Sequence, residues 1–285
     1  MKKYLLFFLI YFLSTIVIWA DFKFVGNIAS SQRFDDRIEF RLDSSKFNLY
    51  VIDENIIRFR FSKNEFSKAP SYAVIYQTVP VSFDFKEYEN NYEVLTKELI
   101  VRISKSPCRV SIYDKNQILI NEDEKSFGVS YDDDEVRCFK KLFDDENFYG
   151  LGEKTGSLNK RGNQWTMWNS DIPGYNFDTD PIYQSVPFFI GIKEKKAYGI
   201  FLDNTYKSYF NMGAANKRFY WFGAEKGELD YYFIYGPEIK KVITSYTQLT
   251  GRMEMPPMWA LGYQQSRWSY FPEESVRNIA EQFRS

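Results

Sequence analysis

The stretch from Gln164 to Tyr175 carries the residues best suited to chemistry. It holds Trp165, Trp168, an Asn169/Asp171 couple and the Pro173-Gly174 punctuation, outside any clear strand or helix period. Sugars present apolar C–H faces and a rim of hydroxyls, so aromatic planes beside carboxylates and amides are their matching partners. The same residue types also suit a structural turn with Trp165 and Trp168 in a core, and residue types alone leave both readings open. Just upstream, Phe148-Tyr149-Gly150-Leu151-Gly152-Glu153 imitates a nucleotide loop. Thr155 stands where a dinucleotide fingerprint needs glycine, and no Gly-Lys-Ser/Thr run follows, so the stretch is not read as a phosphate site.

The chain contains no histidine. It therefore builds no Ser-His-Asp triad, no Cys-His pair and no histidine metal site by itself. A composition rich in Lys, Asn, Ile, Phe and Tyr accounts for the absence without invoking function. Carboxylates, tyrosines, lysines and two cysteines remain. The acidic clusters Asp132-Asp133-Asp134-Glu135 and Asp144-Asp145-Glu146 lack the alternating ligands and internal glycine of a calcium loop, and read as solvated turns. Neither a metal nor a cofactor is expected. A formal net charge of -1 offers no basic excess for a phosphate backbone, so nucleic acid is not an expected partner.

Those residues must be held by something, and the pattern around them is mainly β. From about residue 38 to 235 the period is two: Ile57, Phe59 and Phe61 alternate with Arg58 and Arg60. Val79, Val81, Phe83 and Phe85 repeat the pattern, as do Leu99, Val101 and Ile103. Such alternation predicts half-buried strands. Asp53-Glu54-Asn55, Glu89-Asn90-Asn91 and Asp114-Lys115-Asn116 supply turns between them. Short strands with no helix between them predict an antiparallel β-sandwich.

The two ends of the chain read differently. Lys2 and Lys3 precede an uncharged, mostly apolar run from Tyr4 to Trp19, and Ala20 offers a cleavage site. Residues 1–20 thus read as a signal peptide of an exported (secreted or periplasmic) protein. Left uncleaved, the segment would instead anchor the chain to a membrane. Export would let Cys108 and Cys138 pair, whereas two buried thiols are the alternative. Residues 21–250 form the predicted sandwich domain, and residues 251–285 change grammar. Trp259 to Gln264 reads as a buried strand. After it, Pro272-Glu273-Glu274 opens a helix whose Val276, Ile279, Ala280 and Phe283 form one apolar stripe. A single strand–helix unit cannot bury its own strand, so this segment is expected to be the opening of an incomplete barrel.

Several runs together resemble family-31 glycoside hydrolases of the α-glucosidase type. They are the Gly150-Leu151-Gly152-Glu153 run, Met167 to Asp171, Tyr183 to Phe189, and Tyr198 to Asn204 followed by Met212-Gly213. Pro256 to Trp268 resembles the entry into the catalytic barrel, so the likeness runs from about residue 45 to the end. The resemblance implies a galactose-mutarotase-like antiparallel β-sandwich followed by the first β-α unit of a (β/α)8 barrel. It implies a retaining enzyme acting on an α-linked glucoside or oligosaccharide. By the same likeness Asp171 is the first candidate for contacting substrate and Tyr175 the second. Arg267 and Trp268 stand at the end of the first barrel strand as pocket-wall residues, or as rim packing. Retaining hydrolysis needs a nucleophile and an acid/base carboxyl about 5–5.5 Å apart. The family's Trp-x-Asp-Met-Asn-Glu-type nucleophile run is absent from this sequence, so no residue here takes a catalytic role. A non-catalytic carbohydrate-binding sandwich and a mutarotase-like epimerase are the rival readings; the lack of histidine weighs against the second.

Overall fold

The computed structural model describes residues 22–76, 81–265 and 270–285. The expected signal peptide, Val79, Arg267 and Trp268 lie outside the described residues. Two compact units divide the chain, one ending at Gly251 and the other covering Arg252–Ser285.

The first unit is built from antiparallel strands. In chain order they are β1 (Lys23–Phe24), β2 (Ile28–Arg33), β3 (Arg37–Leu42), β4 (Lys46–Asp53), β5 (Ile56–Ser62) and β6 (Asp84–Glu87). Then come β7 (Asn91–Leu95), β8 (Leu99–Lys105), β9 (Cys108–Asp114), β10 (Leu119–Glu122), β11 (Val129–Asp132), β12 (Glu135–Lys141) and β13 (Asn147–Gly150). The last are β14 (Gln164–Met167), β15 (Phe188–Lys193), β16 (Lys196–Leu202), β17 (Ser208–Asn211), β18 (Phe219–Ala224) and β19 (Leu229–Tyr235). They form an eight-stranded sheet (β13-β15-β16-β19-β5-β4-β3-β2), a six-stranded sheet (β1-β11-β12-β18-β17-β14) and a five-stranded sheet (β10-β9-β8-β7-β6).

One core joins the three sheets. Phe59, Tyr231 and Phe233 of the eight-stranded sheet share it with Cys138, Tyr220 and Phe222 of the six-stranded sheet and Val101, Ile103 and Ile112 of the five-stranded one. Alternation in β5 puts Phe59 and Phe61 into that core and leaves Arg58 and Arg60 on the opposite face, as the period of two requires. The turns at Glu54, Asn90 and Lys115 fall between strands as expected. Strands β15, β16, β18 and β19 depart from the half-buried expectation, being covered on both faces.

The second cover on the eight-stranded sheet is α1 (Ile239–Thr250), a helix the period-two reading of the chain did not include. Val242 and Leu249 pack on Phe188, Phe201 and Ile234 from the outer face, and the Tyr246 ring stacks on Phe188 at 3.8 Å. Gly199 makes this docking feasible. A Cβ there would stand 2.7 Å from a Phe188 ring carbon and 2.8 Å from a Val242 methyl.

Two expectations about polar groups need correction or resolution. Glu146 of the acidic triplet is fully buried rather than solvated. Its Oε1 accepts a 2.6 Å hydrogen bond from the Tyr198 hydroxyl, and its Oε2 accepts from the Phe143 amide. Cys108 and Cys138 are buried free thiols, and burial raises both well above the ordinary thiol range.

In the second unit α2 (Glu273–Gln282) follows Pro272, with Glu273 and Glu274 in its first turn as the sequence predicts. Its apolar stripe forms but has no buried residue; Val276 is 49% and Phe283 65% exposed. The buried strand expected at Trp259–Gln264 is absent. Met258–Leu261 is a single 3-10 turn and Trp259 is exposed. A parallel strand is held by neighbours on its edges, and none is available among the described residues of this unit.

Candidate functional site

Residues 168–187 link β14 to β15 without regular secondary structure, and both expected substrate-binding residues that the structure describes lie on this loop. Asp171 and Tyr175 are exposed, as are Trp168, Phe177 and Tyr183. Trp165 behaves differently. It is buried on β14, so of the paired tryptophans one is core and one is free for contact.

The loop is held at its base. Lys154, whose side chain is wholly buried, makes a 2.8 Å ion pair with Asp180 and donates to the Thr166 carbonyl. Asp180 also accepts from the Thr166 amide at 2.6 Å, so one carboxylate ties the returning loop to β14. Thr155 donates to the Thr179 carbonyl at 2.8 Å. Gly150-Leu151-Gly152, rejected above as a phosphate loop, supports the other end. All three residues have positive φ, and Leu151 N–H donates to the Phe188 carbonyl at 2.8 Å. A Cβ on Gly152 would stand 2.9 Å from a Val186 methyl, so glycine is what lets the chain lie against the loop's return.

Within the loop, the Tyr183 hydroxyl donates to the Ile172 carbonyl at 2.7 Å, and the Tyr175 and Tyr183 rings meet edge to face at 6.0 Å. Asp171 makes no ion pair or side-chain hydrogen bond among the described residues. The arrangement is a clamped loop that presents a free carboxylate and exposed rings, suited to hydroxyls and C–H faces. It does not supply a pair of reactive carboxyls. Glu153 is exposed, and Asp203 accepts a hydrogen bond from the Ser71 hydroxyl at 3.0 Å. Among the described residues no group of three or more His, Cys, Asp or Glu side chains is gathered to hold a metal ion.

A concave feature elsewhere on the sandwich escaped the sequence reading. On the outer face of the eight-stranded sheet, Arg58 grips Asp230 with two hydrogen bonds of 2.8 and 2.5 Å, and Arg60 binds Glu228 at 2.5 Å. Together they floor an open cleft of about 540 Å³. The alternating arginines were legible, but their acids lie 168 to 172 residues further on, beyond any local pattern. Register places this cleft and the Asp171 loop at one end of the sandwich. Phe188 pairs with Phe201, Met167 with Ser208, Leu202 with Tyr231, and Leu229 with Phe61. Residues 168–187, 203–207, the segment after Ser62 and the residues before Leu229 therefore all emerge there.

Comparison with known proteins identifies the family and the fold. Residues 46–211 match the family model of the glycosyl hydrolase 31 N-terminal galactose mutarotase-like domain, and residues 253–285 match that of the family-31 TIM-barrel domain. The chain belongs to glycoside hydrolase family 31. An α-glucosidase of Bacillus thermoamyloliquefaciens is 41% identical over 262 residues, which is 91% of this chain and 33% of that protein. An α-xylosidase of Lactiplantibacillus pentosus is 37% identical over 41% of this chain and 15% of its own length. Among solved structures, a family-31 dextranase of Flavobacterium johnsoniae complexed with isomaltotriose superposes with a TM-score of 0.87 at 37% identity, over 92% of this chain and 32% of the dextranase. The chain thus spans about a third of the length of that α-glucosidase and of the dextranase.

Proposed function

We propose that this chain is the substrate-facing front portion of a retaining α-glycosidase, acting most directly on α-glucosides. The observation that carries the proposal is the loop 168–187: its base is fixed by the buried Lys154 and by Asp180, while Asp171 stays exposed beside exposed aromatic rings, with no side-chain partner among the described residues. A rigid base with a free carboxylate holds a substrate hydroxyl in one orientation, which is how positioning accelerates a reaction carried out by other groups. The similar α-glucosidase and the dextranase bound to isomaltotriose support α-linked glucose as the sugar. By the family likeness alone, Arg267 and Trp268, outside the described residues, are pocket-wall candidates, with rim packing as the alternative. The nucleophile and the acid/base belong to later barrel strands, hydrolysis proceeds by double displacement, and no cofactor takes part. Residues 1–20 direct export.

The test is Asp171→Asn in the enzyme that carries this chain with a complete barrel. A charge-assisted hydrogen bond to a sugar hydroxyl predicts a fall in kcat/KM on isomaltose of about 10- to 100-fold, with the thermal midpoint unchanged. Unchanged kcat/KM contradicts the role of Asp171. A protein that binds isomaltose without turning it over favours the non-catalytic carbohydrate-binding reading instead.

A further inference from the structure

We propose that the cleft floored by Arg58, Arg60, Glu228 and Asp230 is a second saccharide site, taking a neutral α-gluco-oligosaccharide at the same end of the sandwich as the Asp171 loop. The choice of sugar rests on the α-glycosidase reading; the site rests on its own geometry.

The cleft volume of about 540 Å³ is that of a small-molecule site. Its charges nearly cancel, with four basic and five acidic side chains among the lining residues. That balance suits neither a phosphate nor a cationic ligand and favours a neutral polyhydroxyl one. The ionic floor is fixed and leaves capacity for hydroxyls. Both arginines spend Nε and Nη2 on Asp230, Glu228 and the Ser67 carbonyl, so Nη1 of each has no partner among the described residues. Asp203 uses one carboxylate oxygen on Ser71, and the other has no partner among the described residues. Planar guanidinium–carboxylate pairs present donors and acceptors side by side, matching the vicinal hydroxyls of a pyranose.

At the rim, Tyr72 is 90% and Tyr206 51% exposed, giving two rings for the C–H face of a pyranose. A protein partner would call for a broad apolar centre, which a charged floor with two rim rings does not offer.

Calorimetric titration of the 285-residue chain with isomaltotriose and longer isomalto-oligosaccharides tests the proposal. Saturable binding with a Kd of about 1 mM is expected. Tyr206→Ala and Asp203→Asn should each weaken it by about 5-fold or more. Tyr72→Ala, at a position too exposed to disturb folding, should weaken it as well. Absence of saturable heat, as when the cleft instead receives protein surface, overturns the proposal. So does binding that all three variants leave unchanged. Turnover by the enzyme with a complete barrel tests a separate claim: lost turnover leaves these heats untouched, and absent heats leave turnover untouched.

Discussion

At Glu146 burial opposes ionisation. Removal from water pushes its carboxyl from an ordinary value near 4.5 up to about 7, against the lowering effect of the Tyr198 hydrogen bond and the Phe143 amide. For an acid whose folded pKa lies above its unfolded one, the fold favours the protonated form. Its contribution is therefore largest at low pH, and stability is lost as pH rises from about 4.5 to about 7, by roughly 3 kcal/mol in all. Glu146→Gln should remove that dependence. Relative to the parent chain, the variant should gain up to about 3 kcal/mol in urea unfolding between pH 5 and pH 8. An equal difference at both pH values would refute the buried-acid account. This acid was not legible in the sequence, since Asp144-Asp145-Glu146 has the composition of a solvated turn and its partner Tyr198 lies 52 residues away. The irregular course around Asp171 was legible, because Trp, Asn, Pro and Gly there follow no strand or helix period, whereas its substrate contact rests on the family likeness. Lys154 was not: a single lysine shows nothing of its burial or its hold on Asp180. Lys154→Met should cost roughly 2–4 kcal/mol and speed amide exchange across 168–187. Protection of the loop as strong as in the parent chain would show that the clamp does not hold it.

Among the elements, the strands follow from alternation, and the departures have physical causes. Residues such as Ile57, Phe59 and Phe61 announce β5 because only one face meets the main core. Strand β16 is less plain. It is sealed by the sandwich on one side and by α1 on the other, so Ala197 to Leu202 is apolar throughout. The helix itself was readable in Val242, Tyr246 and Leu249, whose spacing fits one helical face, but a short amphipathic run at the end of a β domain is easily taken for more strand. Its docking carries a clear test. Leu249→Ala, at a fully buried contact, should destabilise the sandwich by about 2–4 kcal/mol. Gly199→Val should cost about 1–3 kcal/mol by forcing Phe188 and Val242 apart. Denaturant midpoints matching the parent chain would mean that α1 is not seated on β15 and β16. Trp259 to Gln264 shows the opposite limit: an apolar run is not a strand until a neighbouring edge exists.

At the scale of the molecule, family membership and an uncovered α2 stripe point to a barrel that these residues begin. On the proposed reading the sandwich presents its clamped loop 168–187 to substrate, and bond cleavage belongs to later barrel strands. The measurement that tests this division most directly is proton NMR of the first product released from p-nitrophenyl α-glucoside. It should be run in parallel on the 285-residue chain and on the enzyme carrying it with a complete barrel. The account predicts α-glucose, the retained anomer, from the complete enzyme and no product from the 285-residue chain. Steady release of glucose by the 285 residues alone, or β-glucose as the first product of the complete enzyme, would contradict it.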